Sequence, residues 1–217
     1  MQRNTILVLG AGGGIGRQAV EAGLAEGHRV IAVLRTPSKL PLTHPDLTIV
    51  RGDILQPSTF ESHLSGETVV VSAIGVSGGL KGDKPTTLYS QGALNLLEAM
   101  KRRGTRRVYF ISASAVEISP VMPAFARFAA KNILGKLLRH MYADLRLMES
   151  KVKESDLDWT IIRPPRLTNK AGTGHYRFAV NQWLKNSLSI SRADVADFMI
   201  HHSEDTDTYK GIVEMGY

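Results

Sequence analysis

Residues 6–16 read Ile6-Leu7-Val8-Leu9-Gly10-Ala11-Gly12-Gly13-Gly14-Ile15-Gly16. Four consecutive aliphatic residues are too few for a helix and read as a strand buried on both faces. They run straight into a seven-residue loop of which five residues are glycine. Beyond it, Ile15, Ala19, Val20 and Leu24 recur at helical spacing, and Gly27 stands where the helix would be capped. A strand, a glycine turn and an amphipathic helix bring bare backbone N–H groups to a helix N-terminus, which attracts anions. A turn that holds a dinucleotide pyrophosphate needs glycine for its tight bend, for approach without a Cβ, and for helix-on-strand packing. Gly10, Gly12, Gly13, Gly14, Ile15 and Gly16 are therefore assigned to cofactor binding.

The same alternation continues outward. Apolar, β-branched runs at 30–34, 47–50, 68–74, 107–112 and 159–162 predict strands, and helical patterns fall near 58–65, 86–103 and 124–154. Strands separated by helices predict an α/β protein, a Rossmann-like doubly wound parallel sheet. Pro164-Pro165 ends the sixth strand. A polar loop at 169–174, an extended piece at 175–180, a helix at 192–202 and a strand at 211–214 follow. Residues 1–217 are read as a single domain, with 164–217 forming one wall of a substrate pocket.

Composition narrows the chemistry. The 217 residues include no cysteine, which excludes disulfides, a thiol nucleophile and cysteine-held metals. The seven histidines are scattered, so no metal site is expected. No apolar run reaches the roughly eighteen residues of a membrane span, and the first apolar stretch has no signal-peptide character, so a cytoplasmic protein is expected. The net charge of +7 favours anionic partners, a polyphosphate cofactor among them. Lys101, Arg102, Arg103, Arg106 and Arg107 fall where a helix ends, and cations there complement the helix dipole. No helix-turn-helix, zinc or RNA-binding signature accompanies the charge, so no nucleic-acid partner is expected. In the 124–142 helix, Phe125, Phe128, Ile133, Leu134, Leu137, Leu138 and Met141 alternate with Arg127, Lys131, Lys136 and Arg139. That helix is expected to pack on the sheet rather than a membrane, its spare apolar face serving a pocket lid or a homodimer.

Arg35-Thr36-Pro37-Ser38-Lys39 follows the second strand, where an NAD site would place a carboxylate against the ribose 2′-hydroxyl. A guanidinium there suits a 2′-phosphate, so Arg35, Ser38 and Lys39 predict NADP(H). Ligands in open α/β sheets sit at the strand C-termini, which brings in Asp53, Ile54, Ala73, Ile74 and Gly75. Two readings fit Asp53: an acceptor for the adenine amino group, or a cap on the helix expected near 58.

The chain resembles the atypical short-chain dehydrogenase/reductases of the NAD(P)H-binding family, most of all the biliverdin-IXβ reductase/flavin reductase group. The resemblance runs nearly end to end. It rests on the glycine loop, which satisfies the G-x-x-G-x-x-G and G-x-x-x-G-x-G spacings, and on Arg35 with Lys39, Gly52-Asp53-Ile54 and Ser112-Ala113-Ser114. It continues through Glu154-Ser155-Asp156-Leu157-Asp158-Trp159, Arg163-Pro164-Pro165-Arg166-Leu167 and Ser189-Ile190-Ser191-Arg192-Ala193-Asp194. The resemblance implies an NADPH-dependent reductase transferring hydride to a flavin or a similar planar acceptor, a quinone or a tetrapyrrole-like molecule. It also implies cofactor contacts at Ser112, Ala113 and Pro164, and a substrate space bounded by Val76, Ser114, Pro165 and Arg166.

Most short-chain dehydrogenases use a serine after the fifth strand and a Tyr-x-x-x-Lys on the next helix. Here the candidates are Ser112, Ser114, Tyr142 and Arg146, with arginine in the lysine's place. Tyr142 and Arg146 share a helix face, either as a catalytic dyad or as an ordinary surface pair. Flavin reduction tolerates a degenerate dyad, since its proton can come from water and cofactor positioning supplies much of the catalysis. The alternative is a non-catalytic NADP(H)-binding redox sensor of the NmrA-like type.

Overall fold

Strand β1 (Thr5–Leu9) is dry on both sides: Ile6 and Val8 enter one apolar cluster, Leu7 and Leu9 the other. In the computed structural model, which describes residues 3–75, 85–121, 127–128, 132 and 135–217, that strand lies near the middle of the main sheet. The chain continues through α1 (Gly14–Ala25), β2 (Arg29–Leu34), β3 (Leu47–Arg51), β4 (Thr68–Ser72), α2 (Leu88–Arg103) and β5 (Arg107–Ile111). After these come α3 (Arg139–Lys153), β6 (Asp158–Arg163), β7 (Arg166–Thr168), β8 (Arg177–Val180), β9 (Ser189–Ser191), α4 (Arg192–His201) and β10 (Gly211–Gly216).

Eight strands form one sheet in the order β3-β2-β1-β4-β5-β6-β10-β8, with every pair parallel except β10 with β8. Helices α1 and α4 cover one face through Ala19, Val20, Phe198 and Met199; α2 and α3 cover the other through Leu96, Met100, Met148 and Val152. The fold is the Rossmann-like doubly wound sheet that the alternation of strands and helices predicts. Strand order reverses between β1 and β4, and that reversal opens a crevice at the strand C-termini.

Some elements differ from the sequence expectation. Residues 58–65 make two 3₁₀ turns, Pro57–Thr59 and Glu61–His63, instead of a helix. Phe60 leaves the helical region between them (φ −139°) and buries its ring completely. The fourth strand stops at Ser72, two residues early, because Ala73 and Ile74 turn to back the glycine loop. The continuous helix expected over 124–154 is interrupted at Leu138, between a single turn at Gly135–Leu137 and α3. Phe125, Lys131, Ile133 and Leu134 lie outside the described residues. Strands β7 and β9, three residues each, pair in a small parallel sheet of their own, too short to leave a periodic signal.

The basic run at 101–107 has protein partners. Gly104 ends α2 in the left-handed region (φ +69°). Arg102 grips Glu61 with two hydrogen bonds and Arg106 grips Asp158 with two more. Arg107 is buried, sandwiched between the rings of Tyr109 (4.0 Å) and Tyr209 (4.4 Å), and donates to carbonyl and hydroxyl oxygens. Among the described residues no helix is long and apolar enough to cross a membrane.

Candidate functional site

A cleft of about 550 Å³ opens where β1 to β5 end. Gly10 closes β1 with φ +79°, and a Cβ there would lie 2.7 Å from the Ala73 carbonyl oxygen, so only glycine fits between β1 and β4. The Gly13 N–H donates to the Gly10 carbonyl (2.9 Å) and closes the turn. Gly13 is also the N-cap of α1 and has no side chain to satisfy the first turn, whose Gly14 and Ile15 line the cleft. Gly12 lines it as well. Gly16 sits behind and does not line the cleft: a Cβ there would run into the Gly10 carbonyl, so its bare backbone packs helix against loop.

Beyond β2, Arg35, Thr36 and Lys39 line the cleft, while Ser38 is exposed and does not. Lys39 crosses close to the loop, its Cβ 3.3 Å from where a Gly12 Cβ would be. Asp53 lines the cleft with Gly52 and Ile54 and accepts from the Leu55 N–H (3.0 Å), closing its own turn. The helix it was a candidate to cap does not form. Ala73, Ile74 and Gly75 follow from β4, and Ser112 with Ala113 from β5; Val76 lies outside the described residues. Uncapped N–H groups, a glycine cradle and the cations of Arg35, Lys39 and Arg192 in one cleft fit a dinucleotide with an added phosphate.

The helix bordering this cleft presents a different pair from the one its sequence suggests. Met141 and Leu145, one turn apart, face the cleft. Tyr142 is turned into the apolar cluster beneath α2, 6% exposed, and burial pushes its phenol pKa up. Arg146 is exposed and donates to the Val116 carbonyl (3.2 Å). Neither lines the cleft. The register has a local signal: Met141, Leu145 and Glu149 stand four residues apart on one face, and Glu149 is fixed to the end of β5.

Ser112 donates its hydroxyl proton to Glu149 (2.6 Å), which also accepts from Arg163 Nε (2.9 Å) and Nη2 (2.5 Å). Burial alone would raise the Glu149 carboxyl, but these hydrogen bonds outweigh it and hold the pKa below its ordinary value. Glu149 is thus an ionised anchor, and the Ser112 hydroxyl is committed to it. Arg163 Nη1 extends the network to Glu117 (2.8 Å).

The remaining candidates lie to the side. Ser114 donates its N–H to the Pro164 carbonyl (3.0 Å) and borders a smaller cavity with Arg163 and Glu214. Pro164 is buried, Pro165 is half-buried and Arg166 is exposed at the start of β7; none lines the main cleft. Instead Leu167 and Arg192 reach it from the C-terminal segment, and Leu88 and Tyr89 from the start of α2. Sequence patterns missed these four because each comes to the cleft only through tertiary packing.

Residues 10–206 match the family described as NAD(P)H-binding. An uncharacterised chloroplastic protein of Arabidopsis thaliana is 26% identical over 210 residues, covering 90% of this chain and 70% of its own. The chain spans between 32% and 85% of the length of other curated relatives. A short-chain dehydrogenase/reductase of Veillonella parvula, solved in complex with NADP, superposes with a TM-score of 0.80 at 19% identity, covering 100% of this chain and 95% of its own. ChuY, an anaerobilin reductase of Escherichia coli O157:H7, superposes with a TM-score of 0.76 at 22% identity, covering 98% and 96%. These structures share the fold, and the family match runs over nearly the whole of it, so the protein belongs to the NAD(P)H-binding family.

Proposed function

We propose that the protein is an NADPH-dependent reductase that passes hydride to a flat, electron-poor acceptor such as a flavin, a quinone or a linear tetrapyrrole. The carrying observation is the pair Met141 and Leu145 on the helix face where a tyrosine acid and its lysine would have to stand. Without a positioned acid, reduction of an unactivated ketone lacks its proton donor. An acceptor that delocalises the incoming charge needs none from the protein, and its proton can come from water.

When bound, the reduced nicotinamide supplies the hydride. The chain's own residues bind and orient. The first turn of α1 receives the pyrophosphate and Arg35 with Lys39 the 2′-phosphate. Ser112 and Ala113, held rigid through Glu149, wall the other end of the cleft. Met141 and Leu145 offer an apolar surface to a planar ring and exclude water from one side. Residues 164–217 contribute Leu167 and Arg192 to the wall, and the whole chain works as one domain on this reading. ChuY, which shares the fold, is itself a reductase.

The test is NADPH oxidation followed with FMN, FAD, riboflavin, a quinone dye and a linear tetrapyrrole as acceptors. Acceptor-dependent oxidation is expected with at least one. The same Met141 and Leu145 pair also favours a second reading, a sensor that binds NADP(H) without turnover. Tight NADPH binding with no oxidation by any acceptor selects the sensor.

A further inference from the structure

One cation in the cleft stands apart in the chain from Arg35 and Lys39. Arg192, the first residue of α4, comes from the C-terminal segment and lies directly across the glycine loop. A Cβ on Gly14 would fall 2.5 Å from Arg192 Cδ and 2.7 Å from its Nε, so the bare backbone at 14 makes room for this side chain. Two short strands deliver it: β9 ends at Ser191 and pairs with β7, so Arg192 and Asn169, each just past its strand, stand side by side. Arg192 Nη1 donates to Asn169 Oδ1 (2.6 Å), and among the described residues Arg192 forms no ion pair with a carboxylate. One of its five donors is taken by a neutral amide, and its Nε lies against Gly14 in the uncapped first turn of α1.

We infer that Arg192 is a positioning residue for the pyrophosphate, closing over it from the side opposite α1, with Asn169 aiming the guanidinium. This rests on the dinucleotide reading above. The cleft cations then have separate roles. Arg35 and Lys39 read the group that distinguishes NADPH from NADH, and Arg192 holds the group both share. The C-terminal segment thereby takes a direct part in cofactor retention.

Calorimetric titration of the full chain with NADPH, NADH and adenosine 2′-monophosphate tests this, because the last ligand carries the 2′-phosphate and no pyrophosphate. Arg192→Ala is expected to weaken NADPH and NADH by the same factor, about tenfold or more, and to leave adenosine 2′-monophosphate unchanged. Arg35→Glu should do the reverse, weakening NADPH and adenosine 2′-monophosphate while sparing NADH. The ligand-free melting temperature checks folding, and Arg192→Met serves as a second variant that keeps the aliphatic stem. Dinucleotide affinities within twofold of the parent, or equal weakening of adenosine 2′-monophosphate, would overturn the assignment. A parent protein that binds neither dinucleotide overturns the dinucleotide reading itself, and this inference with it.

Discussion

On the proposed reading, Arg35 carries the cofactor preference in a single side chain. It stands exposed at the end of β2 and lines the cleft beside Thr36 and Lys39. Replacing it with glutamate removes charge-assisted hydrogen bonds worth about 1.5–3 kcal/mol and sets a like charge against the phosphate. NADPH affinity should therefore fall at least about tenfold, with NADH far less affected and the fold intact. Equal losses for both cofactors in a binding titration would remove the 2′-phosphate role. Glu149 is the opposite kind of residue, 3% exposed and bound to Ser112 and Arg163. Its native pKa is lowered, so its stabilising contribution is complete above the ordinary carboxylate value and is lost as pH falls through the lowered one. Glu149→Gln should cost about 3–5 kcal/mol at neutral pH by leaving Arg163 without its buried partner. The same variant should lose less stability than the parent on acidification, as measured by urea unfolding at a series of pH values. An unchanged acid limb would show that Glu149 does not drive it.

At the start of α2, Thr87 makes no side-chain capping bond, and the Thr86 hydroxyl accepts from the Leu88 N–H alone (3.1 Å). Asp144, on α3 and 4% exposed, supplies the missing acceptors from across the helix pair. Its carboxylate accepts from the Tyr89 N–H (2.9 Å), the Ser90 N–H (3.1 Å) and the Ser90 hydroxyl. This fixes the start of α2, and with it Leu88 and Tyr89 at the cleft. It also fixes the rotation of α3, since Asp144 pointing to α2 leaves Met141 and Leu145 toward the cleft. Asp144→Ala should destabilise by about 2 kcal/mol or more, with an unchanged denaturant slope, because it strands buried donors. A shift under about 0.5 kcal/mol, the ordinary scatter of surface changes, would mean that water replaces the carboxylate.

At the scale of the molecule, the last strand is an interior one. β10 lies between β6 and β8, parallel to the first and antiparallel to the second, and buries Val213 and Met215 completely. Removing residues 211–217 exposes an edge of β6 and detaches β8 from the sheet. The truncated chain should lose cooperative unfolding and soluble yield, where trimming an ordinary terminus would be tolerated. Cooperative thermal unfolding of that variant would refute the topological argument.

Local chemistry by itself determined much of this protein. The apolar run of Ile6 to Leu9 and the glycines after it specify strand, turn and helix, because backbone sterics and burial act within a few residues. The glycine turn and the place of Arg35 at the cleft were legible for that reason: contiguous segments build them. Tertiary structure alone decided the rest. Whether Tyr142 or Met141 faces the cleft depends on a rotation of about 100° per residue. That rotation is set by Asp144 and Glu149, whose partners lie 55 and 37 residues away in the chain. Arg192 meets Gly14 only because two three-residue strands, silent in the sequence pattern, pair and aim it there. Periodicity reports which face of an element is apolar. Which neighbour that face meets follows only from packing the whole chain.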